Sequence, residues 1–317
     1  MTHFPTDPDE NAASIVNLAE VLYACLDAAG ARTVIEVGAF HGKSTRELLD
    51  WASADGARVI AIDPAPEPAL RKLAAERADL ELVERTSVEA LGELDAEAII
   101  LDGDHNYFTL SEELRLISER ATASSSRMPL LIFHDIGWPL GRRDAYYAPE
   151  RIPPEHRQPL ANDTYLVPDD PGTVPAGMPF ACVAAREGGP RNGILTAIEA
   201  FLREREELGF ASVPAFFGIG FIWDRRADWA EAVAAVLEPW DRNPVLARLE
   251  ANRIRQMTER YRITKLLDDL EDVRGPRDEL LRALADSRAL ALSEGISRAV
   301  RRGDPAVTRA QIRAALD

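Results

Sequence analysis

The stretch Thr33-Val-Ile-Glu-Val-Gly-Ala-Phe-His-Gly-Lys-Ser-Thr45 decides the fold, because a β-branched run turns through two glycines directly into the start of an amphipathic helix. Gly38 and Gly42 let backbone approach a ligand closely, and the unpaired N–H groups of a helix opening at Lys43-Ser44-Thr45 point at whatever sits there. A phosphate-binding P-loop needs four residues between its glycines before G-K-[ST], and Gly38 to Gly42 has three. A dinucleotide turn needs a middle glycine where the pyrophosphate passes, and Phe40 stands there.

Working outward, Val59-Ile-Ala-Ile-Asp63 reads as a second buried strand ending in a carboxylate, at the usual distance for a ribose-binding acid. Ala98-Ile-Ile-Leu-Asp-Gly-Asp-His105 and Leu130-Leu-Ile-Phe-His-Asp135 read as further strands that end in acid and histidine clusters. Strands near 33–37, 58–63, 80–84, 97–102 and 129–134 alternate with helical segments, which predicts an α/β fold with a doubly wound, mostly parallel sheet. Ligands of such sheets bind beyond the carboxyl ends of the strands, so these clusters are expected to share a crevice with Gly38. His41, His105 and His134, three of the chain's five histidines, all fall at such ends.

With Glu36, Gly38 and Gly42 in register, the first turn resembles the E/D-x-G-x-x-x-G turn of class I S-adenosylmethionine-dependent methyltransferases. The runs Asp102-Gly-Asp-His-Asn-Tyr107 and His134-Asp-Ile-Gly-Trp138 narrow the resemblance to the O-methyltransferases of antibiotic sugar and macrolide tailoring and the related cephalosporin-hydroxylase-like branch, over about 33–223. The resemblance implies S-adenosylmethionine as cofactor. Its amino-acid end would be held near Glu36, its ribose by Asp63 and its adenine near Thr86-Ser87, so Glu36, Gly38, Gly42, Ser44, Asp63, Ser87 and Asp102 are the expected cofactor-binding residues. It further implies a divalent metal, magnesium or manganese, on Asp102, His134 and Asp135, with Asp104 or His105 as general base. His134 departs from the family, where an acid is usual; magnesium prefers hard oxygen ligands, whereas imidazole suits manganese, iron, nickel or zinc.

Such chemistry suits these residue types. Methyl transfer from a sulfonium asks the protein chiefly to orient and deprotonate the acceptor, and a hydroxyl is a weak acid that a cation and a nearby base make reactive. The expected reaction is metal-assisted O-methylation of a glycoside or another secondary metabolite. The alternatives are a metal-independent methyltransferase with a histidine base and a non-catalytic, cofactor-binding regulatory protein. An oxygenase like the cephalosporin-hydroxylase branch would need a redox-active iron.

From Gly137 to Gly189 helix and strand periodicity fades while prolines and aromatics accumulate, which reads as an irregular lid. Trp138, Tyr146 and Tyr147 are its expected stacking faces, and Arg142 and Arg143 its expected partners for a substrate anion. Asn192–Glu207 returns to helix. Ala211–Ala215 and Gly218–Trp223 then read as a closing antiparallel pair of strands. Residues 1–225 are thus the expected catalytic domain.

Residues 226–317 read as a helical extension, with an apolar stripe through Leu246, Leu249, Ile254, Met257, Tyr261 and Leu267 that suits either docking on its own domain or a homo-oligomer seam, broken at Gly275-Pro276. Shorter helices are expected around Gly295 and Gly303-Asp-Pro305, with Arg298, Arg301 and Arg302 as a solvated basic face.

At 317 residues and 46% hydrophobic content the chain can bury one large core. Its formal charge of −16 argues against nucleic acid as substrate and leaves a small-molecule acceptor as the expected partner. Cys25 and Cys182 lack metal spacing and fit a reducing cytoplasm. Met1–Glu10 does not read as a secretory segment, and no apolar run approaches membrane-spanning length.

Overall fold

The fold is described from a computed structural model covering residues 14–288, 291 and 307–316. After a short 3-10 turn at Ile15–Leu18 come helix α1 (Ala19–Ala29), strand β1 (Thr33–Val37), α2 (Lys43–Asp55), β2 (Arg58–Ile62), α3 (Pro68–Glu76), β3 (Leu80–Val83), α4 (Ser87–Ala90), β4 (Ala98–Leu101), α5 (Tyr107–Ala123) and β5 (Leu130–Phe133). There follow β6 (Leu160–Leu166), β7 (Met178–Ala184), α6 (Ile194–Leu202), β8 (Leu208–Val213), β9 (Ile219–Asp224), α7 (Ala230–Leu237), α8 (Pro244–Ala285) and α9 (Arg309–Ala314). The five early strands lie within a residue of their expected bounds.

The main sheet has the order β3-β2-β1-β4-β5-β9-β8. It is parallel from β3 to β5, and β9 runs antiparallel to both β5 and β8. This is the expected doubly wound sheet with its reversed closing pair. The central strands are buried on both faces, which is why Ala98-Ile-Ile-Leu101 and Leu130-Leu-Ile-Phe133 are continuous apolar runs. One core packs α1, α2 and α7 on one face of the sheet, and a second packs α5 and α6 on the other. Each fully buried Leu or Ile there contributes about 1.5–3 kcal/mol.

Register aligns the strand ends: Val37 pairs with Ile62 and with Leu101, and Leu101 pairs with Phe133. The next residues on each strand, Gly38, Asp63, Asp102 and His134, therefore emerge along one edge. Chain order reverses between β1 and β4, and that switch point opens the crevice.

The insertion at 137–189 departs from the expected irregular lid, since β6 and β7 pair as an antiparallel two-stranded sheet. Its strands hide in the sequence because Asn162, Asp163 and Pro179 interrupt the apolar alternation and much of the ribbon is exposed. Leu140, Ala145, Leu166 and Val183 form its own small core.

Two compact units divide the chain, Met1–Thr258 and Glu259–Asp317, so the expected boundary near Arg225 falls inside the first. The tail stripe divides accordingly: within the first unit Ile254 and Met257 are buried and Leu246 packs at the edge of the core, while Leu249 is exposed. In the second unit, Ile263, Leu266, Leu267 and Leu270 are exposed. The expected break at Gly275-Pro276 is absent, as α8 runs through Pro276 to Ala285. Proline there frees the Asp272 carbonyl on a stretch that is exposed to solvent. Gly295, Arg298, Arg301, Arg302 and the Gly303–Pro305 turn lie outside the described residues. No helix among the described residues is long and apolar enough to cross a membrane.

Candidate active site

Gly38 ends β1 with φ +87, and a Cβ placed on it would stand 2.2 Å from the backbone oxygen of Asp102. Glycine is thus what lets the β1 and β4 turns touch. Gly42, at φ +78, caps α2, and a Cβ there would press on Leu70 at 3.1 Å. Between them Phe40 is 57% exposed with φ 46, and its ring meets His41 edge-on at 4.8 Å.

Two acids brace this turn. Buried Glu36 accepts hydrogen bonds from the hydroxyls of Ser44 and Thr45, both at 2.5 Å, tying β1 to the first turn of α2. Burial pushes its carboxyl above the usual range, with the two hydroxyls pulling the other way. Buried Asp63 accepts from the Phe40 N–H at 2.7 Å and the Ala65 N–H at 2.8 Å. Each of its oxygens keeps a second lone pair. Ser87, buried at the head of α4, hydrogen-bonds Glu113 rather than standing free.

Beyond β4 and β5 the acids and histidines converge. Asp102 Oδ1 lies 3.1 Å from His134 Nδ1 and 3.3 Å from His105 Nε2, and His105 Nε2 is 3.4 Å from Asp135 Oδ2. Burial would raise the Asp102 carboxyl, but the two imidazoles outweigh it and hold it well below the usual range. His134 shows the mirror effect: burial disfavours its cation, yet Asp135 and Asp102 push it up to about 10. Asp135 is raised, chiefly by burial, and adopts a left-handed φ of +59 that aspartate tolerates better than most residues. Its Oδ1 is buried without a hydrogen bond. Asp104 is also raised by burial; it accepts from the Thr109 hydroxyl at 3.2 Å and from the Tyr147 N–H at 3.4 Å.

The ring of His134 is held from behind by a loop that sequence reasoning missed. Its Nε2 donates to the Phe216 carbonyl at 3.0 Å, leaving Nδ1 for the cluster. Phe216, Phe217 and Gly218 all have positive φ, at 51, 66 and 87. That strained run is pinned by the Gly137 N–H to the Phe217 oxygen at 2.5 Å, and by the Phe217 N–H to Glu250 at 2.7 Å. Arg253, bonded to Glu250, lies over the Phe217 ring at 4.5 Å. Only the Phe-Phe-Gly triplet could have hinted at such a turn.

Asp102, His134 and Asp135 offer ligand atoms that all lie within 4.8 Å of one another, and they are the cation candidate among the described residues. Two carboxylates and an imidazole nitrogen fit a borderline divalent ion, and the orphaned Asp135 Oδ1 is an available donor.

The insertion treats its expected substrate residues differently. Tyr147 is 77% exposed, with its ring 6.1 Å from that of His105. Tyr146 is instead buried and donates to Asp144 at 2.8 Å, while Trp138 packs on the insertion's small core. The arginines have partners other than a substrate anion. Arg142 clamps Glu199 with two bonds of 2.6 Å, and fully buried Arg143 donates to the carbonyls of Ala184, Pro171 and Gly172. Asp144, also missed, is buried and accepts from the Tyr107 and Gly193 N–H groups, fastening the insertion to the starts of α5 and α6.

No family model matches the chain, and no curated protein matches it in sequence. Among solved structures it is similar to the SAH-bound methyltransferase PaMTH1 of Podospora anserina, at 15% identity over 69% of this chain and 82% of that one, with a TM-score of 0.42. It is also similar to the Burkholderia thailandensis 1,6-didemethyltoxoflavin N1-methyltransferase, at 14% identity over 67% of this chain and 90% of that one, with a TM-score of 0.32. A third similarity is to NcsB1, an O-methyltransferase from neocarzinostatin biosynthesis, at 13% identity over 64% of this chain and 52% of that one, with a TM-score of 0.36.

Proposed function

We propose that this chain is an S-adenosylmethionine-dependent O-methyltransferase that uses a divalent cation on Asp102, His134 and Asp135 to methylate a hydroxyl of a small molecule such as a glycoside. One observation carries the reading: the glycine turn after β1 and the acid-histidine cluster after β4 and β5 are in direct backbone contact, through Gly38 and Asp102, at the switch point of the sheet. A sulfonium cofactor seated on that turn would have its reactive end beside the cluster.

In this reading the Gly38–Gly42 turn accommodates the cofactor backbone-first, and the lone pairs that Asp63 keeps accept from its ribose hydroxyls. Glu36 acts through Ser44 and Thr45 by fixing the start of α2. A bound cation supplies Lewis-acid stabilisation of the acceptor alkoxide. Asp104 or His105 takes the hydroxyl proton, and Tyr147 covers the acceptor. Self-association through the C-terminal region, residues 226–317, belongs to the same proposal and is read by light scattering.

A metal-independent variant of the reaction is favoured by one feature. Asp102 Oδ1 lies within hydrogen-bond reach of two imidazoles, which can balance its charge themselves. Calorimetric titration of S-adenosylmethionine into metal-stripped protein, with and without added manganese or magnesium and with Asp63→Ala, separates the readings. Micromolar binding lost in Asp63→Ala supports the cofactor site, and a separate metal-binding event supports the cation. Absence of cofactor binding under every condition overturns the reading.

A further inference from the structure

Helix α5 carries a carboxyl on its apolar face. Leu110, Glu113, Leu114 and Ile117 follow the spacing of a buried helical stripe, and all four are buried. Glu113 is hydrogen-bonded by Ser87, yet its Oε1 is buried with no partner. His105 Nδ1, the ring nitrogen turned away from Asp102 and Asp135, is buried with no partner as well. A buried polar atom left without a partner is costly, and two such atoms on one pocket call for a shared partner.

Both residues line one small cavity, together with Asp104, His134, Leu110 and Phe133. It leaves about 10 Å³ for the centre of a water molecule, which is room for one. We propose that this cavity is a built site for one water molecule, which bridges Glu113 Oε1 and His105 Nδ1 and makes Glu113 the positioning residue of the His105 ring. Water both donates and accepts, so it satisfies the imidazole nitrogen with or without a hydrogen on it. Burial, the largest influence on Glu113, pushes its carboxyl up to about 8, which lets the group sit there uncharged. The bridge anchors one side of the ring and leaves Nε2 aimed at the cluster, as metal-bound or catalytic histidines are steadied through their other nitrogen. Its bearing on proton transfer rests on the methyltransferase reading, whereas the water and the ring are read without turnover.

The test is a crystal structure of the full chain at water-resolving resolution, with ring ¹⁵N NMR of His105 in wild type, Glu113→Gln and Glu113→Leu, assigned by the loss of signal in His105→Asn. The expected result is one ordered water within hydrogen-bond reach of both atoms. Glu113→Gln, which keeps a polar end, should retain the wild-type His105 Nδ1 shift, and Glu113→Leu should move it and lose the water. A dry cavity, a direct Glu113–His105 bond, or a His105 signal unmoved in Glu113→Leu overturns the proposal. If Glu113→Leu does not fold, the wild-type water and the Glu113→Gln spectrum still decide it.

Discussion

Gly38 and Asp102 touch so closely that a single methyl group on the glycine would overlap the aspartate's backbone oxygen, at 2.2 Å. The overlap is with backbone on both sides, so neither partner can rotate away, and the φ of +87 adds its own strain for any L side chain. Gly38→Ala is therefore expected to destabilise the fold by roughly 2 kcal/mol or more. Gly56→Ala shares a positive φ of 67 but has open space around it, which isolates the backbone-conformation cost. Thermal denaturation of both variants checks this, and an equal loss of Tm in the two would remove the steric argument.

Asp102 also lies within hydrogen-bond reach of two imidazoles, so its removal bears on more than the proposed cation site. Asp102→Asn keeps the shape but deletes the charge that favours the cations of His105 and His134. Manganese affinity measured by calorimetry is expected to fall roughly tenfold or more. Unchanged affinity would place the ion elsewhere.

The paired arginines of the insertion separate a surface clamp from a buried strut. Arg142 and Glu199 are half-exposed, so Arg142→Ala is expected to cost within about 1 kcal/mol. Arg143→Ala strands the buried Ala184 carbonyl and empties a fully buried site, at a cost of roughly 2–3 kcal/mol. Urea denaturation ranks the two, and similar midpoints for both variants would contradict the buried role.

How much of this was legible in the chain follows from what each residue answers to. The parallel strands declared themselves because burial on both faces demands continuous apolar runs, and their carboxyl ends then located Asp63, Asp102 and His134. Arg143 and Tyr146 read as ligand contacts because sequence shows a charge or a ring but not the carbonyls and Asp144 that a fold brings to meet them. The β6–β7 ribbon was hidden for a related reason, since half-exposed strands need little apolar alternation. Glu113 was visible in principle, as an acid in a helical apolar stripe.

Glu113 also ties the stability of the protein to pH. Its folded carboxyl titrates at about 8, against a reference value of 4.5, so between those limits the folded state binds the proton that the unfolded state releases. Stability from this group is complete below the unfolded value and is lost as pH rises through the folded one. At about 1.4 kcal/mol per pH unit the loss amounts to a few kcal/mol by pH 8. Glu113→Gln is neutral in both states and lacks this slope. Its Tm relative to wild type should therefore rise between pH 5 and pH 8.5, and a difference that stays flat across that window would mean that Glu113 is ionised in the folded protein.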